Sequence, residues 1–337
     1  MTDLHTQYLG MSLRSPLVAS ASPLTGELDH LAELDRSGVG AVVLPSLFEE
    51  QIEHDTSEID RLYTEHHNSF GEAMSFFPEL VHYNSGTDEY LSLVEQAVAQ
   101  MSVPVIASLN GTNLGGWLRY AKLLEDAGAA ALEFNLYSVA ADPSRTGTDI
   151  ESEQFELIRE VTNALSIPVA VKISPFYTSL AAFVVGLQEA GAAGVVMFNR
   201  FLGPDLDLVT LDIEPTITLS RSSELRLPMR WIGIVRDLVD ISIAGSSGVE
   251  SGTDAAKLIL AGADVAMSTS SLLRHGAHHL RTLEHELMVW MIDHGYESVA
   301  EMRGAVSRDS TDDPNAYERA NYIGNLATYS NSFRTRA

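Results

Sequence analysis

The chain of 337 residues is long enough for one large domain or two ordinary ones. Its composition, with 45% hydrophobic and 20% charged residues, is typical of a globular protein with a sizeable core. The 21 Lys and Arg residues against 46 Asp and Glu residues give a formal net charge of −25, which argues against a nucleic-acid partner because an acidic surface repels phosphate backbones. The absence of cysteine excludes disulfides, thiolate nucleophiles and cysteine-ligated metals, and the sequence predicts neither a signal peptide nor a membrane span, so we expect a cytoplasmic protein.

Short apolar runs alternate with helical patterns along most of the chain. The predicted strands lie at residues 13–20, 41–44, 104–109, 130–136, 168–173, 194–198, 241–244 and 263–267. The clearest predicted helices lie at residues 28–37, 117–127, 152–164, 180–190, 255–260 and 278–296. Eight such strand–helix units predict an α/β protein with a closed (β/α)₈ TIM barrel. An open doubly wound sheet is the alternative, although no GxGxxG sequence follows the first strand.

Two long segments interrupt this alternation. Residues 48–90 are polar and rich in histidine, and an irregular insertion runs from residue 199 to about residue 227. Loops of this length inside a compact domain are usually functional. We therefore expect one domain over residues 1–337, with inserted loops at the C-terminal face of the barrel and a polar C-terminal arm from about residue 310.

Glycine- and serine-rich turns follow the last two predicted strands. Gly245, Ser246, Ser247 and Gly248 follow the seventh strand, and residues 268–271 (Ser-Thr-Ser-Ser) follow the eighth. Two adjacent strand ends that each lead into a helix start form an anion site, and barrels often bind phosphate there. Ordinary strand-to-helix turns remain the alternative, because a short Gly/Ser turn is a weak motif.

Lys172 is the most informative single residue, because it ends the apolar run VAVK, where a charged group needs a partner. It could hold an anionic cofactor atom, form a Schiff base, or pair with Glu133 on the neighbouring strand. Asn135 and Asn199 also lie at strand ends, where they could read a planar heterocycle or be satisfied core amides. Strand alternation is expected to place Glu133 differently from Asn135. No histidine pair has metal-ligand spacing, so no metal site is predicted.

Several segments of the chain carry a resemblance to a known family. They are SPLVASAS at the first strand, EFNLYS at the fourth, VAVKISPF at the fifth, GSSGVESGTDAAKLILAGA at the seventh, and GYESVAEMRG near the C-terminus. Together they resemble the dihydroorotate dehydrogenases, class 1 in particular, which are FMN-binding (β/α)₈ barrels. The resemblance runs in order from about residue 4 to residue 303.

The resemblance implies a role for individual residues. Lys172 would lie by N1 and O2 of the flavin and stabilise negative charge on the reduced ring, and Ser138 takes the position of the catalytic base. Asn135 and Asn199 would contact both the flavin and the substrate. The further cofactor-binding residues it implies are Ser20, Ala21, Ser22, Ser46 and Asn110 at the ring, and Ser247, Gly248, Thr269 and Ser270 at the phosphate.

The chain also departs from the family pattern. Pro45 stands where the family has a lysine, residues 71–79 replace an asparagine-rich loop, and Val139 and Ala140 replace Pro-Asn after Ser138. Because selectivity built on hydrogen bonds fails when the bonding groups are removed, these changes predict weak orotate binding and poor turnover of dihydroorotate.

The function expected is therefore an FMN-dependent oxidoreductase that acts on a CH–CH bond of dihydroorotate or of a related small substrate. One alternative is a flavoprotein electron-transfer subunit with a changed or lost substrate site, and another is a Schiff-base aldolase that uses Lys172. A homodimer is expected, with a separate redox partner protein as a further option. The cysteine-free chain cannot itself hold an iron–sulfur cluster.

Overall fold

The computed structural model describes residues 2–49, 51–52, 86–111, 117–200, 203–214 and 216–334. Its centre is a closed barrel of parallel strands, which confirms the predicted TIM barrel. In chain order the barrel strands are β3 (Leu17–Ala19), β4 (Ala41–Phe48), β5 (Val105–Asn110), β6 (Ala131–Asn135), β7 (Val169–Ile173), β8 (Gly194–Met197), β11 (Ser242–Ser246) and β12 (Val265–Ser268). Strand β12 pairs with β3 and β8 pairs with β11, which closes the barrel.

Helices follow the barrel strands. They are α1 (Leu28–Arg36), α2 (Thr87–Gln100), α3 (Trp117–Asp126), α4 (Gly147–Ala164), α5 (Leu180–Glu189), α6 (Arg226–Val235), α7 (Gly252–Ala261), α8 (Ser270–His275), α9 (His279–Asp293), α10 (Val299–Met302) and α11 (Arg319–Arg334). The Ser251 hydroxyl caps α7 by accepting a hydrogen bond from the Asp254 N–H. Helix α6 follows the predicted irregular insertion, in a stretch for which the sequence predicts no helix because Pro228 obscures the helical pattern, and α11 lies in the predicted polar arm.

Strand β4 extends beyond the predicted end. The sequence predicts that Pro45 stops this strand, but the strand runs on to Phe48. The prediction is wrong because the β4–β5 register shifts between Val43 and Ser46, so proline lies at an irregularity that does not require its missing N–H. The extension places Ser46 beside Ser108 of β5.

Side-chain alternation divides the apolar core into two layers. Outward-facing strand residues such as Val171 and Phe134 pack under the helices. Inward-facing residues such as Ile106 and Ala170 fill the barrel together with Tyr8, Leu9 and Leu13. These last three belong to, or adjoin, an N-terminal hairpin of β1 (Thr6–Tyr8) and β2 (Met11–Leu13), which the sequence did not predict.

The two predicted insertions are described to different extents. Most of the first, including its histidines, lies outside the described residues, which resume at Gly86. The second contains a hairpin of β9 (Asp205–Leu206) and β10 (Ile213–Glu214), followed by α6. In the C-terminal arm, Asn321 of α11 accepts a 2.7 Å hydrogen bond from Arg230 of α6. Within the described part of the chain, no helix combines the length and apolarity needed to cross a membrane.

Candidate active site

A cavity of about 300 Å³ lies at the C-terminal mouth of the barrel. Of the predicted site residues, it is lined by Ser20, Ala21, Ser22, Lys172, Asn199, Ser247, Gly248, Thr269 and Ser270. The described residues of its lining include the cations Lys172 and Arg200 and no Asp or Glu residue. Concave sites with a few converging polar groups are typical ligand sites. Arg200 is paired with Glu224 at 3.0 Å, so the lining suits an anion chiefly through its N–H and O–H donors.

Lys172 is buried at the base of this cavity and forms an ion pair. Its Nζ atom lies 3.1 Å from Oε1 of Glu133 and donates a 3.3 Å hydrogen bond to Oγ of Ser20. The side chains of Lys172 and Glu133 are 8% and 1% exposed. The ion pair named above as a structural alternative is therefore present, and it leaves Lys172 on the cavity wall.

The expected placement of Glu133 is wrong. Residues two apart on a strand share a face, so Glu133 and Asn135 both project inward from β6. Glu133 contacts Lys172, and Asn135 contacts Ser108. A carboxylate thus lies beneath the cavity, although it does not line it.

Asn135 is held in a cluster of polar groups on the wall of the barrel. Its amide nitrogen donates hydrogen bonds to Oγ of Ser108 at 2.9 Å, to Oγ of Ser46 at 3.2 Å and to the Leu109 carbonyl at 3.2 Å. The hydroxyls of Ser46 and Ser108 lie 2.8 Å apart. Asn110 is the register partner of Asn135 on β5. The structure therefore brings Ser46, Asn110 and Asn135 together, with the Asn135 amide nitrogen satisfied internally.

The predicted phosphate turn has a distinctive backbone. Ser247 and Gly248 both have positive φ angles, +79° and +77°. A Cβ atom on Gly248 would lie 2.7 Å from both the Arg221 carbonyl oxygen and the Leu225 N–H nitrogen. Glycine is therefore required here both by the backbone conformation and by the close approach of residues 221–225.

The hydroxyl of Ser270 is oriented by Ser220, a residue for which the sequence predicts no role. Ser220 donates both its backbone N–H, at 3.0 Å, and its hydroxyl, at 2.8 Å, to Oγ of Ser270. A serine hydroxyl has two acceptor lone pairs and one donor hydrogen, so these bonds use both lone pairs and leave the Ser270 O–H to donate. Since Ser220 and Ser270 both line the cavity, the free donor belongs to its wall.

Arg274 holds the segment that carries Ser220. Its Nη2 atom donates to the carbonyls of Leu219 and Ser220 at 2.9 and 2.8 Å, while its Nη1 atom pairs with Glu250. Arg274 lies one helical turn after Ser270 and therefore on the same face of the helix. This spacing is the sequence signal that could have identified Arg274 as a residue near the site. Ser220 carried no such signal, because it lies at the end of an irregular insertion.

Ser138 lies apart from these residues. It is exposed in the loop after β6 and is not among the residues that line the cavity. The neighbouring Val139 is 68% exposed. Ser138 as the proton-transfer residue therefore stays a prediction. Among the described residues, no cluster of histidine and carboxylate side chains is arranged to hold a metal ion.

Comparison with known proteins decides the family. The family model described as dihydroorotate dehydrogenase matches residues 3–291 of the chain. The chain belongs to the dihydroorotate dehydrogenase family.

Individual relatives agree with this membership. The chain is 25% identical over 312 residues to "Dihydroorotate dehydrogenase B (NAD(+)), catalytic subunit" of Anoxybacillus flavithermus, covering 90% of this chain and 96% of the relative. It is 24% identical over 318 residues to the protein of the same description from Halalkalibacterium halodurans, covering 92% and 100%. It is 32% identical over 188 residues to "Dihydroorotate dehydrogenase A (fumarate)" of Lacticaseibacillus paracasei, covering 53% and 64%.

Family membership confirms the resemblance read from the sequence and the prediction of an oxidoreductase of the dihydroorotate dehydrogenase type. It favours that function over the Schiff-base aldolase, for which Lys172 alone was the argument. The barrel and its cavity provide the place where such chemistry would occur.

Proposed function

We propose that this protein oxidises dihydroorotate to orotate with FMN bound at the C-terminal mouth of the barrel. The observation that carries the proposal is the cavity itself, in which one buried lysine and a set of hydroxyl donors converge without a carboxylate among the described wall residues. FMN, when bound, supplies the two-electron acceptor for a hydride from the CH–CH bond. The protein residues bind, orient and stabilise charge around it.

The residues at the β11 and β12 ends fit the phosphate of FMN. The free O–H of Ser270 and the turn at Ser247 and Gly248 face a cavity whose described lining carries no negatively charged side chain. Hydrogen bonds to charged groups are stronger than those between neutral groups, and a donor fixed before binding loses less entropy when the ligand arrives. Ser220 is thus part of the phosphate site through its two bonds to Ser270.

The residues at the β3 and β7 ends fit the ring of FMN. An ammonium has three N–H donors, and Lys172 uses two of them on Glu133 and Ser20. The remaining donor is available to an acceptor atom in the cavity that Lys172 lines. A fixed cation at that point would stabilise negative charge that develops on the ring during substrate oxidation.

The proton that leaves the substrate needs an acceptor, for which Ser138 remains our candidate. Asn199 lines the cavity, and its backbone N–H donates a 2.7 Å hydrogen bond to the Ile173 carbonyl, which supports a role for Asn199 in contacting the substrate or the ring. The amide nitrogen of Asn135 would donate to the substrate only by giving up part of its hydrogen bonding with Ser46 and Ser108. Because this amide nitrogen is already hydrogen-bonded within the protein, we have a structural reason to expect weak orotate binding.

Comparison of FMN with riboflavin tests the cofactor site, because riboflavin lacks only the phosphate. The wild-type protein should bind FMN much more tightly than riboflavin, as measured by flavin fluorescence quenching. Loss of one hydrogen bond to a charged group costs about 1.5–3 kcal/mol, so Ser270→Ala should weaken FMN binding about 10- to 100-fold and leave riboflavin binding unchanged. Ser307→Ala removes another buried serine hydroxyl, one bonded to Ser310, and is the matched control. Equal affinity of the wild-type protein for both flavins would refute the proposed phosphate site.

Anaerobic mixing with dihydroorotate tests the substrate. We expect dihydroorotate to bleach the visible absorption of the flavin. The rate should be slow, because Pro45, Val139 and Ala140 depart from the family pattern and the Asn135 amide nitrogen is already hydrogen-bonded within the protein. If dihydroorotate does not bleach the flavin-loaded protein at any concentration, dihydroorotate is not the substrate, and a related small molecule becomes the candidate.

Two relatives are described as the catalytic subunit of an NAD⁺-linked enzyme, which supports a redox partner for this chain as well. If so, the photoreduced protein alone should be reoxidised slowly by NAD⁺. Fast reoxidation by fumarate would instead support the reaction named for the Lacticaseibacillus relative.

A further inference from the structure

The pairing of Lys172 with Glu133 determines how much positive charge the cavity receives. Both side chains are almost completely buried, and inward-facing neighbours such as Ala131, Ala170 and Ile106 are apolar. An isolated ammonium in such surroundings would be costly, whereas a paired one is tolerated. Glu133 therefore permits a charged lysine at this depth, and at the same time it offsets the lysine's charge.

The geometry of Glu133 suits a residue that positions its neighbour. Its Oε1 atom accepts from Lys172, while its Oε2 atom is buried and has no hydrogen-bond partner among the described residues. The Tyr8 hydroxyl, buried in the barrel floor, likewise lacks a partner within the described part of the chain. Burial raises the pKa of Tyr8 well above its usual value, and the negative charges of Glu133 and Asp264 add to the shift. Tyr8 thus stays a neutral phenol, and Glu133 is the carboxyl group that contacts Lys172 from below.

We propose that Glu133 is a positioning residue that holds the Lys172 ammonium against the FMN site and lowers the midpoint potential of the bound cofactor by offsetting that positive charge. This inference rests on the proposed function, because it requires FMN in the cavity that Lys172 lines. Two of the three lysine N–H groups are fixed by Glu133 and Ser20, which directs the third. The negative charge of Glu133 opposes the extra negative charge that reduction brings to the site.

The test is the midpoint potential of bound FMN, measured by equilibration with a reference dye, together with the dissociation constant of oxidised FMN. Glu133→Gln keeps the shape and removes the negative charge, so the ratio of the dissociation constants of oxidised and reduced FMN should rise about tenfold or more. For a two-electron couple, tenfold corresponds to about 30 mV of increase in the midpoint potential. Lys172→Met should shift the potential in the opposite direction, and Glu133→Asp should restore part of the wild-type value.

The double variant Glu133→Gln/Lys172→Met guards against misfolding, because replacing both members of a buried ion pair is often tolerated when removal of one is not. Its potential should return close to that of the wild-type protein, since the opposing charges are removed together. Glu125→Gln, at an ion pair with Lys122 on α3, is the matched control and should not change the potential.

The outcomes separate the two proposals. A wild-type protein that does not bind FMN overturns the proposed function, and this inference with it. A wild-type protein that binds FMN, with the same midpoint potential in Glu133→Gln or with the double variant shifted as far as either single variant, overturns the role of Glu133 alone.

Discussion

Gly248→Ala tests the most constrained backbone position in the candidate site. The residue has φ +77°, and an added Cβ atom would lie 2.7 Å from the Arg221 carbonyl oxygen and from the Leu225 nitrogen. Both contacts are with backbone, so neither can be relieved by rotation of a flexible side chain. The substitution should therefore strain the turn and also push away the segment that precedes α6.

The two effects can be separated in magnitude. A residue other than glycine held at positive φ costs of order 1–3 kcal/mol, and overpacking of a close contact costs about 1–3 kcal/mol more. Gly295 offers a matched control, because it has the same φ of +77° with no heavy atom within 4 Å of an added Cβ. Gly295→Ala should show only the backbone term, and Gly248→Ala should lose about 2–6 kcal/mol in total.

Urea unfolding of the wild-type protein and both variants measures the difference, provided that the three m-values agree. Gly248→Ala should also weaken FMN binding, whereas Gly295→Ala, which lies after α9 and away from the cavity, should not. If Gly248→Ala proves as stable as Gly295→Ala, the close approach of residues 221–225 does not exist in the protein, and the argument for the phosphate turn fails.

Further predictions concern other parts of the barrel. Tyr90→Phe removes a hydroxyl that accepts from the buried Ser108 N–H at 3.1 Å, so it should reduce the unfolding free energy by about 1–3 kcal/mol in urea titrations; no loss would show that the N–H finds another partner. The hydrogen bond from Lys122 is the main cause that lowers the pKa of Glu125 from 4.5 to about 2, so the stabilisation it gives is present above pH 4.5 and is lost as the pH falls towards 2. Glu125→Gln should therefore lose less unfolding free energy than the wild-type protein as the pH falls from 4.5 towards 2. If the urea midpoints of the two proteins fall equally over that range, Glu125 is not the source of this pH dependence. Ser138→Ala should slow flavin reduction by dihydroorotate about 100-fold with unchanged FMN content, whereas an unchanged rate in stopped flow would remove Ser138 as the base.

Much of the architecture follows from local sequence patterns. A short buried strand needs only a run of apolar residues, and a strand end is marked by the small or polar residues that follow it. For this reason the barrel, Lys172 near the end of β7 and the turn at Ser247 and Gly248 are predictable from the amino-acid sequence, although Gly245 and Ser246, predicted as part of that turn, belong to β11. The continuation of β4 through Pro45 is not, because it depends on a register shift against β5 that only the paired strands show.

The partners of the site residues were decided by the tertiary structure. Lys172 bonds to Ser20, 152 residues away, and Ser220 bonds to Ser270, 50 residues away. No local pattern records such pairs, because they form only when barrel closure brings distant strand ends to one mouth. Alternation along β6 was in the sequence and would have placed Glu133 on the face of Asn135, yet its contact with Lys172 required the pairing of β6 with β7. The sequence by itself therefore marked the polar groups at the strand ends of the barrel. Tertiary packing added Ser220 to the cavity wall, left Ser138 outside it, and decided which groups are already bonded to one another and which keep a free donor for a ligand.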